Sequence, residues 1–170
     1  MPSLYIPIVI PAAWHVLLQE YAARYPQDGR RLLTALARSP RVVRVRRRVH
    51  PSASAAAWTV DRTIYLEPGT RLTLVLYAHE LVHVAQYAEA VARYGPVAGP
   101  STFLVSYFVG GLTEVLRRLR AGAPMNVWTA SPYEQEAYAL GARVRAWLRD
   151  RLRPAMRYLG RPAARYPGRS

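Results

Sequence analysis

The sequence predicts an α+β fold, mostly α, in which a small β element precedes the longest helix and a later helix follows it. Three observations predict this. Apolar residues recur at helical spacing over five separate stretches. Valine-rich runs of strand length are confined to the middle of the first half. The 170-residue chain is 51% hydrophobic, enough to bury one sizeable core and too apolar for a disordered chain.

The elements follow in order. Residues 4–10 alternate loosely and read as an extended entry segment. Residues 12–25 read as a helix with Trp14, Leu17, Leu18, Tyr21 and Ala22 on one face. Residues 28–38 read as a second, short helix, capped by Asp28 and ended by Pro40. The run RVVRVRRRVH, 41–50, reads as a strand. Its Arg44, Arg46 and Arg48 face one way, as a solvated sheet edge or as a phosphate-binding ridge. Residues 57–66 read as a strand or hairpin turned at Asp61-Arg62 and closed by Glu67-Pro68-Gly69. Residues 71–93 form the longest helical pattern, stopped by Gly95-Pro96. Residues 101–120 form another. Its uncharged run STFLVSYFVGGL is short for a bilayer span and reads as a buried helix, with an interfacial segment as the alternative. Residues 132–152 form the last pattern, closed by Pro154. One domain is therefore expected over 1–152, with its core in 53–150, and a poorly ordered Arg-, Pro- and Gly-rich tail over 153–170.

Composition narrows the chemistry. The chain has no cysteine, which removes disulfides, thiolate metal sites and cysteine nucleophiles together. Any metal must use His, Asp, Glu or water. All 24 basic residues are Arg, against 10 acidic residues, for a net charge of +14. Such a balance favours an anionic partner or nucleic acid, or is simply a solvated basic surface. The start of the chain lacks a basic n-region and is broken by prolines, so no signal peptide is expected. A cytoplasmic protein, or one exported by a non-classical route, fits that reading.

The stretch that carries chemistry is His79-Glu80-Leu81-Val82-His83, which fits H-E-x-x-H. Residues four apart stack on one helix face, so both imidazoles can reach one ion. Zinc accepts neutral imidazole nitrogens, and a catalytic zinc keeps its fourth position for water. Glu80, one residue past His79, can take a proton from that water as general base. The bland reading is a core helix whose two histidines bond carbonyls. It leaves two imidazoles and a carboxylate buried without a compensating ion, which is costly.

A third protein ligand is needed. Position 86 is Gln, and no further histidine follows the motif, so a carboxylate from a later helix remains. Glu134 and Glu136 are the candidates. They project about 200° apart on a helix, so only one can face the metal. Glu134 also fits a capping box, with Ser131 as N-cap and Pro132 at the first helical position. Gln86 lies on the face of His79 and orients a ligand or substrate, or bonds core backbone. Tyr87, Tyr107, Tyr133 and Tyr138 each offer a phenol for an oxyanion, with ordinary packing as the plainer account. His15 reads as a satisfied core histidine.

HELVHVAQ (79–86) resembles the H-E-L-x-H-x-x-Q signature of the zincin-like metallopeptidase domain found with extracellular contractile injection systems. AAWTVDRTIYLEPG (56–69) is similar to the hairpin that precedes the zinc helix in that family, with Asp61 where its pattern has Gly. YEQEAYAL (133–140) resembles the segment of gluzincin-like proteins whose first glutamate is the third ligand, and Tyr138 stands where many relatives have Asp. The resemblance implies a zincin-like domain with zinc on His79, His83 and Glu134, Glu80 as base, and a peptide or protein substrate. The alternatives are a basic binding module with a structural or vestigial zinc, and a cargo or structural part of a phage- or injection-related assembly.

Overall fold

The computed structural model describes residues 4–48, 56–122 and 131–159, the side chains of 154–159 excepted. Its order is β1 (Tyr5–Ile8), α1 (Ala12–Arg24), α2 (Pro26–Ala37), β2 (Arg41–Val45), β3 (Ala57–Val60), β4 (Thr63–Leu66), α3 (Leu74–Arg120) and α4 (Pro132–Leu159). The expected α+β arrangement is present, with the small sheet ahead of the long helix.

The four strands form one sheet in the order β1-β2-β4-β3. β1 runs antiparallel to β2, β2 parallel to β4, and β3 antiparallel to β4. The β3–β4 turn is Asp61-Arg62, where the sequence places it. Asp61 takes φ 51°, a region that Asp tolerates better than most residues, and its carboxylate accepts from Arg38 Nη2 at 2.9 Å. Ile64 and Leu66 alternate inward from β4, and Val42 of β2 stands beside Ile64 in register.

Helix α3 is the axis of the molecule. Thr73 caps it by accepting the Leu76 N–H on Oγ1 at 3.1 Å. Tyr77, Ala78 and every residue from Glu80 to Gln86 are buried. A helix apolar on all sides must be enclosed, and α2, β3 and α4 pack around this one. Leu18, Tyr21, Leu32, Ile64, Leu81, Leu140 and Val144 belong to the single cluster that surrounds it.

Several boundaries differ from the sequence reading. The second helix begins at Pro26, whose missing N–H costs nothing at a first helical position. Asp28 is therefore inside the first turn, and it accepts from Tyr21 Oη at 2.8 Å and from Arg143 at 2.7 Å instead of capping. The strand expected over 41–50 ends at Val45, and β2 is an interior strand, so its arginines line no sheet edge. His50 lies outside the described residues.

The two helices expected on either side of Gly95-Pro96 meet at a break at Gly95, at φ 81° and ψ 170°, and the second begins earlier than residue 101. Pro96 starts it at once, because a first turn needs no N–H from proline. The 101–112 segment is not a buried helix. Phe103 and Gly111 are buried, and Tyr107 is partly buried. Leu104, Val105, Phe108, Val109 and Leu112 are each more than half exposed. One stripe of this arm suffices to pack on the start of α4, and the opposite face has no cover among the described residues. No helix there is long and apolar enough to cross a membrane.

Helix α4 continues through Pro154 to Leu159. A proline removes one N–H bond and kinks a helix, but it does not oblige the chain to leave it. Arg151 pairs with Glu20 and lies over the Trp147 ring, so this arginine is not merely solvated. The rest of the expected tail, 160–170, lies outside the described residues.

Helices α1 and α2 touch at Gly29, where an added Cβ would stand 2.4 Å from the Ala22 carbonyl oxygen. Gly29→Ala should therefore force the two helices apart and lower stability by about 1–3 kcal/mol, read as a shift in the urea midpoint.

Candidate metal centre

The first arm of α3 carries His79 and His83 on one face, as four-residue spacing requires. Their Nε2 atoms stand 3.3 Å apart. The first turn of α4 brings Glu134 to both. Its Oε2 lies 3.4 Å from His79 Nε2 and its Oε1 3.3 Å from His83 Nε2. Among the described residues these three form a group able to hold a metal ion, with donor atoms within 4.8 Å of one another.

The spacing is informative. Donors bound at about 2.0–2.1 Å to a tetrahedral ion stand roughly 3.3–3.4 Å from each other. The two imidazole nitrogens match that requirement, and the Glu134 carboxylate straddles them, with one oxygen at that spacing from each. Two neutral nitrogens and one carboxylate are also a donor set that zinc accepts and that leaves a vertex free.

Hydrogen bonding says what each histidine offers. His83 Nδ1 lies 2.9 Å from Gln86 Oε1, while the Gln86 amide nitrogen donates to Glu136 Oε2 at 2.8 Å and to the Tyr133 carbonyl at 3.2 Å. With its nitrogen so engaged, Gln86 presents only an acceptor to the ring. The network therefore assigns the proton of neutral His83 to Nδ1 and a lone pair to Nε2. That lone pair faces a second imidazole nitrogen and a carboxylate, a position that a hydrogen on His79 Nε2 or a metal ion would satisfy.

The titration behaviour agrees. Burial works against a charge on His83, yet the Glu134 contact and the Glu80 and Glu134 carboxylates raise it above its ordinary value. Burial works against a charge on Glu134 too, but the contacts with His79 and His83 hold it well below the usual carboxylate range.

The remaining sequence-predicted residues fall into place around this cluster. Glu80 is buried one position past His79, and Thr59 of β3 donates to its Oε2 at 2.7 Å. Glu136, the alternate ligand, faces away. Its carboxylate receives Arg31 Nε at 2.7 Å and Gln86, so it supports the site without lining it. The reason is the helical offset of the two glutamates.

Ser131 caps α4 by accepting the Tyr133 N–H at 3.3 Å, and the Glu134 carboxylate turns to the histidines rather than back to the cap. Tyr107, from the second arm of α3, donates to Glu134 Oε1 at 2.5 Å. Burial first, then the Glu134 charge, raises its phenol far above the ordinary value. Tyr138 sets its ring edgewise on His79 at 4.7 Å. Tyr133 and Tyr87 pack on Phe103. His15 lies outside the site, 3.0 Å from Tyr77 Oη.

Sequence reasoning missed Thr59 and Arg31. Both act across 21 or more positions through a single hydrogen-bonding group, and no local pattern marks such a partner. A groove of about 500 Å³ is lined by Gln86, Glu89, Arg93, Phe103 and Tyr133, and shares Gln86 with the network around His83.

A two-histidine, one-carboxylate group on a pair of packed helices defines the class of site. Residues 26–91 match the family model of the eCIS core domain, which supports an association with extracellular contractile injection systems. The match covers less than half of the 170 residues. It runs from the start of α2 into the first arm of α3, so it includes His79, Glu80, His83 and Gln86 and stops short of Glu134. No curated protein and no solved structure matches the chain.

Two outcomes are expected. Zn²⁺ at a hundredfold its Kd should raise unfolding free energy by about 2.7 kcal/mol, a gain lost in His79→Ala and Glu134→Ala and readable by thermal melts. A proton on His83 competes with the ion. Because the folded protein raises the value of that histidine, zinc affinity should keep climbing as pH passes above about 6.5, measured by chelator competition at pH 6, 7 and 8.

Proposed function

We propose that the chain is a zinc-dependent metallopeptidase associated with an extracellular contractile injection system. The observation that carries this reading is the set of donor distances among His79, His83 and Glu134, with Glu80 buried beside them. Bound there, zinc would polarise a peptide carbonyl and make water a better nucleophile near neutral pH.

The chain's own groups account for the proton movements. Thr59 Oγ1 holds Glu80 Oε2, which fixes the carboxylate and leaves Oε1 to accept a proton. Glu80 takes that proton from water as the water oxygen adds to the carbonyl carbon. It returns the proton to the departing amine nitrogen as the C–N bond breaks. Tyr138 is a half-exposed phenol beside His79, raised by burial and by the Glu134 charge. It stays protonated at neutral pH and is suited to donate to the developing oxyanion.

A second reading has its own support. The family match favours a part of an injection-related assembly, as cargo or structural component, whether or not the site turns over. The basic balance of the chain would also serve an anionic partner or nucleic acid, in which case DNA binding should weaken steeply with salt.

Glu80→Gln separates these. It should keep wild-type zinc stoichiometry while peptide hydrolysis falls by about 10²–10⁴-fold, assayed on a peptide library by mass spectrometry. Wild-type protein that is fully loaded with zinc and cleaves nothing would leave the assembly reading in place.

A further inference from the structure

We infer that Gln86, Glu136 and Arg31 act as one positioning chain that sets the metal affinity of His83, so that a helix outside the motif governs the site. The inference rests on the metal reading above and assigns it a controlling residue, Arg31, that no motif contains.

The chain can be followed atom by atom. Arg31 on α2 donates from Nε to Glu136 Oε1 at 2.7 Å and from Nη2 to Glu136 Oε2 at 3.2 Å. Glu136 on α4 accepts the Gln86 amide at 2.8 Å on that same Oε2. Gln86 on α3 accepts from His83 Nδ1 at 2.9 Å, and both Gln86 and His83 are buried. Arg31 also pairs with Glu89, one turn past Gln86.

Each link fixes the next. An amide at position 86 can rotate so that either its oxygen or its nitrogen faces the imidazole. With nitrogen facing, His83 would have to keep its lone pair on Nδ1 and its proton on Nε2, the atom that must ligate. Glu136 removes this choice by holding the amide nitrogen, and Tyr133 reinforces it through its carbonyl. Arg31 in turn neutralises Glu136 and keeps a carboxylate near the ligands from competing for the ion. A ligand histidine oriented through its other ring nitrogen binds metal more tightly, and losing such a partner typically costs about 10–100-fold in affinity.

The arrangement also explains a feature of the fold. Both glutamates of the α4 segment are used, and their offset sends one to the ion and the other to the chain that orients the ion's ligand. Arg31 thus ties together the three helices that must stay in register for the donors to converge.

The test compares zinc affinity by chelator competition with the absorption spectrum of the Co²⁺-loaded protein, which reports coordination geometry. Gln86→Ala and Arg31→Met should each weaken zinc binding about 10–100-fold and alter the Co²⁺ bands. Glu136→Gln guards against a variant that fails to fold, since it keeps shape while exchanging one acceptor oxygen for a donor and removing the charge. It should weaken zinc binding in the same direction.

The double variant Gln86→Glu with Glu136→Gln rebuilds the sequence of donors and acceptors in reverse, and it should recover part of the affinity lost in Glu136→Gln alone. A merely structural role predicts lower melting of the metal-free protein with no such recovery and no spectral change. Wild-type affinity and spectrum in folded Gln86→Ala and Glu136→Gln would overturn the inference while leaving the metal centre intact. Wild-type protein that binds neither Zn²⁺ nor Co²⁺ would overturn both.

Discussion

Three donor atoms that converge without a shared proton cannot rest together unless something positive lies between them. Most of the interior is arranged around that constraint. Among the described residues His83 Nε2 faces His79 and Glu134, and their approach to within 3.3–3.4 Å is favourable only with a hydrogen or a metal ion between them. The burial of α3 follows from the same demand. Apolar walls from α2, the sheet and α4 keep water from screening the donors, and so make the pull on a cation strong. Thr59 and Gln86 then bind the outward atoms of Glu80 and His83, while Tyr107 donates to Glu134 Oε1, the oxygen that also faces His83.

The two arms of α3 divide the work. The first arm carries the histidines and is enclosed. The second passes back over the first turn of α4, and its inner stripe brings Tyr107 to Glu134. Gly95 makes the change of direction possible, because its φ of 81° is a conformation that residues with a side chain rarely adopt. Gly99 lets the second arm start close to the first, with room for no Cβ against Val91. The matched family region ends within the first arm, so Tyr107, Glu134 and the α4 network lie in a part of the chain that this resemblance does not cover.

Much of the architecture was legible because it depends on local periodicity. The H-E-x-x-H helix, the Asp61-Arg62 turn and the start of α4 at Pro132 all express short-range rules. The errors arose where a residue has two uses. Pro154 was read as the end of its helix but is carried within it, and Asp28 was read as a cap although the helix already begins at Pro26. The run at 101–112 was read as buried from its composition, yet hydrophobicity does not say which neighbours a helix will have. At the site, spacing reduced the third ligand to one of two glutamates but could not choose between them by geometry. Only the three-dimensional packing of α4 shows which carboxylate meets the histidines and which meets Arg31.

The separation of the ligands along the chain has a consequence of its own. Fifty positions lie between His83 and Glu134, and drawing such distant points together costs about 4 kcal/mol of chain entropy. Nothing in the first half can meet that expense alone. A donor set divided in this way is completed only once α4 has packed against α3, so a chain cut before residue 132 keeps its two imidazoles and loses the carboxylate that faces them.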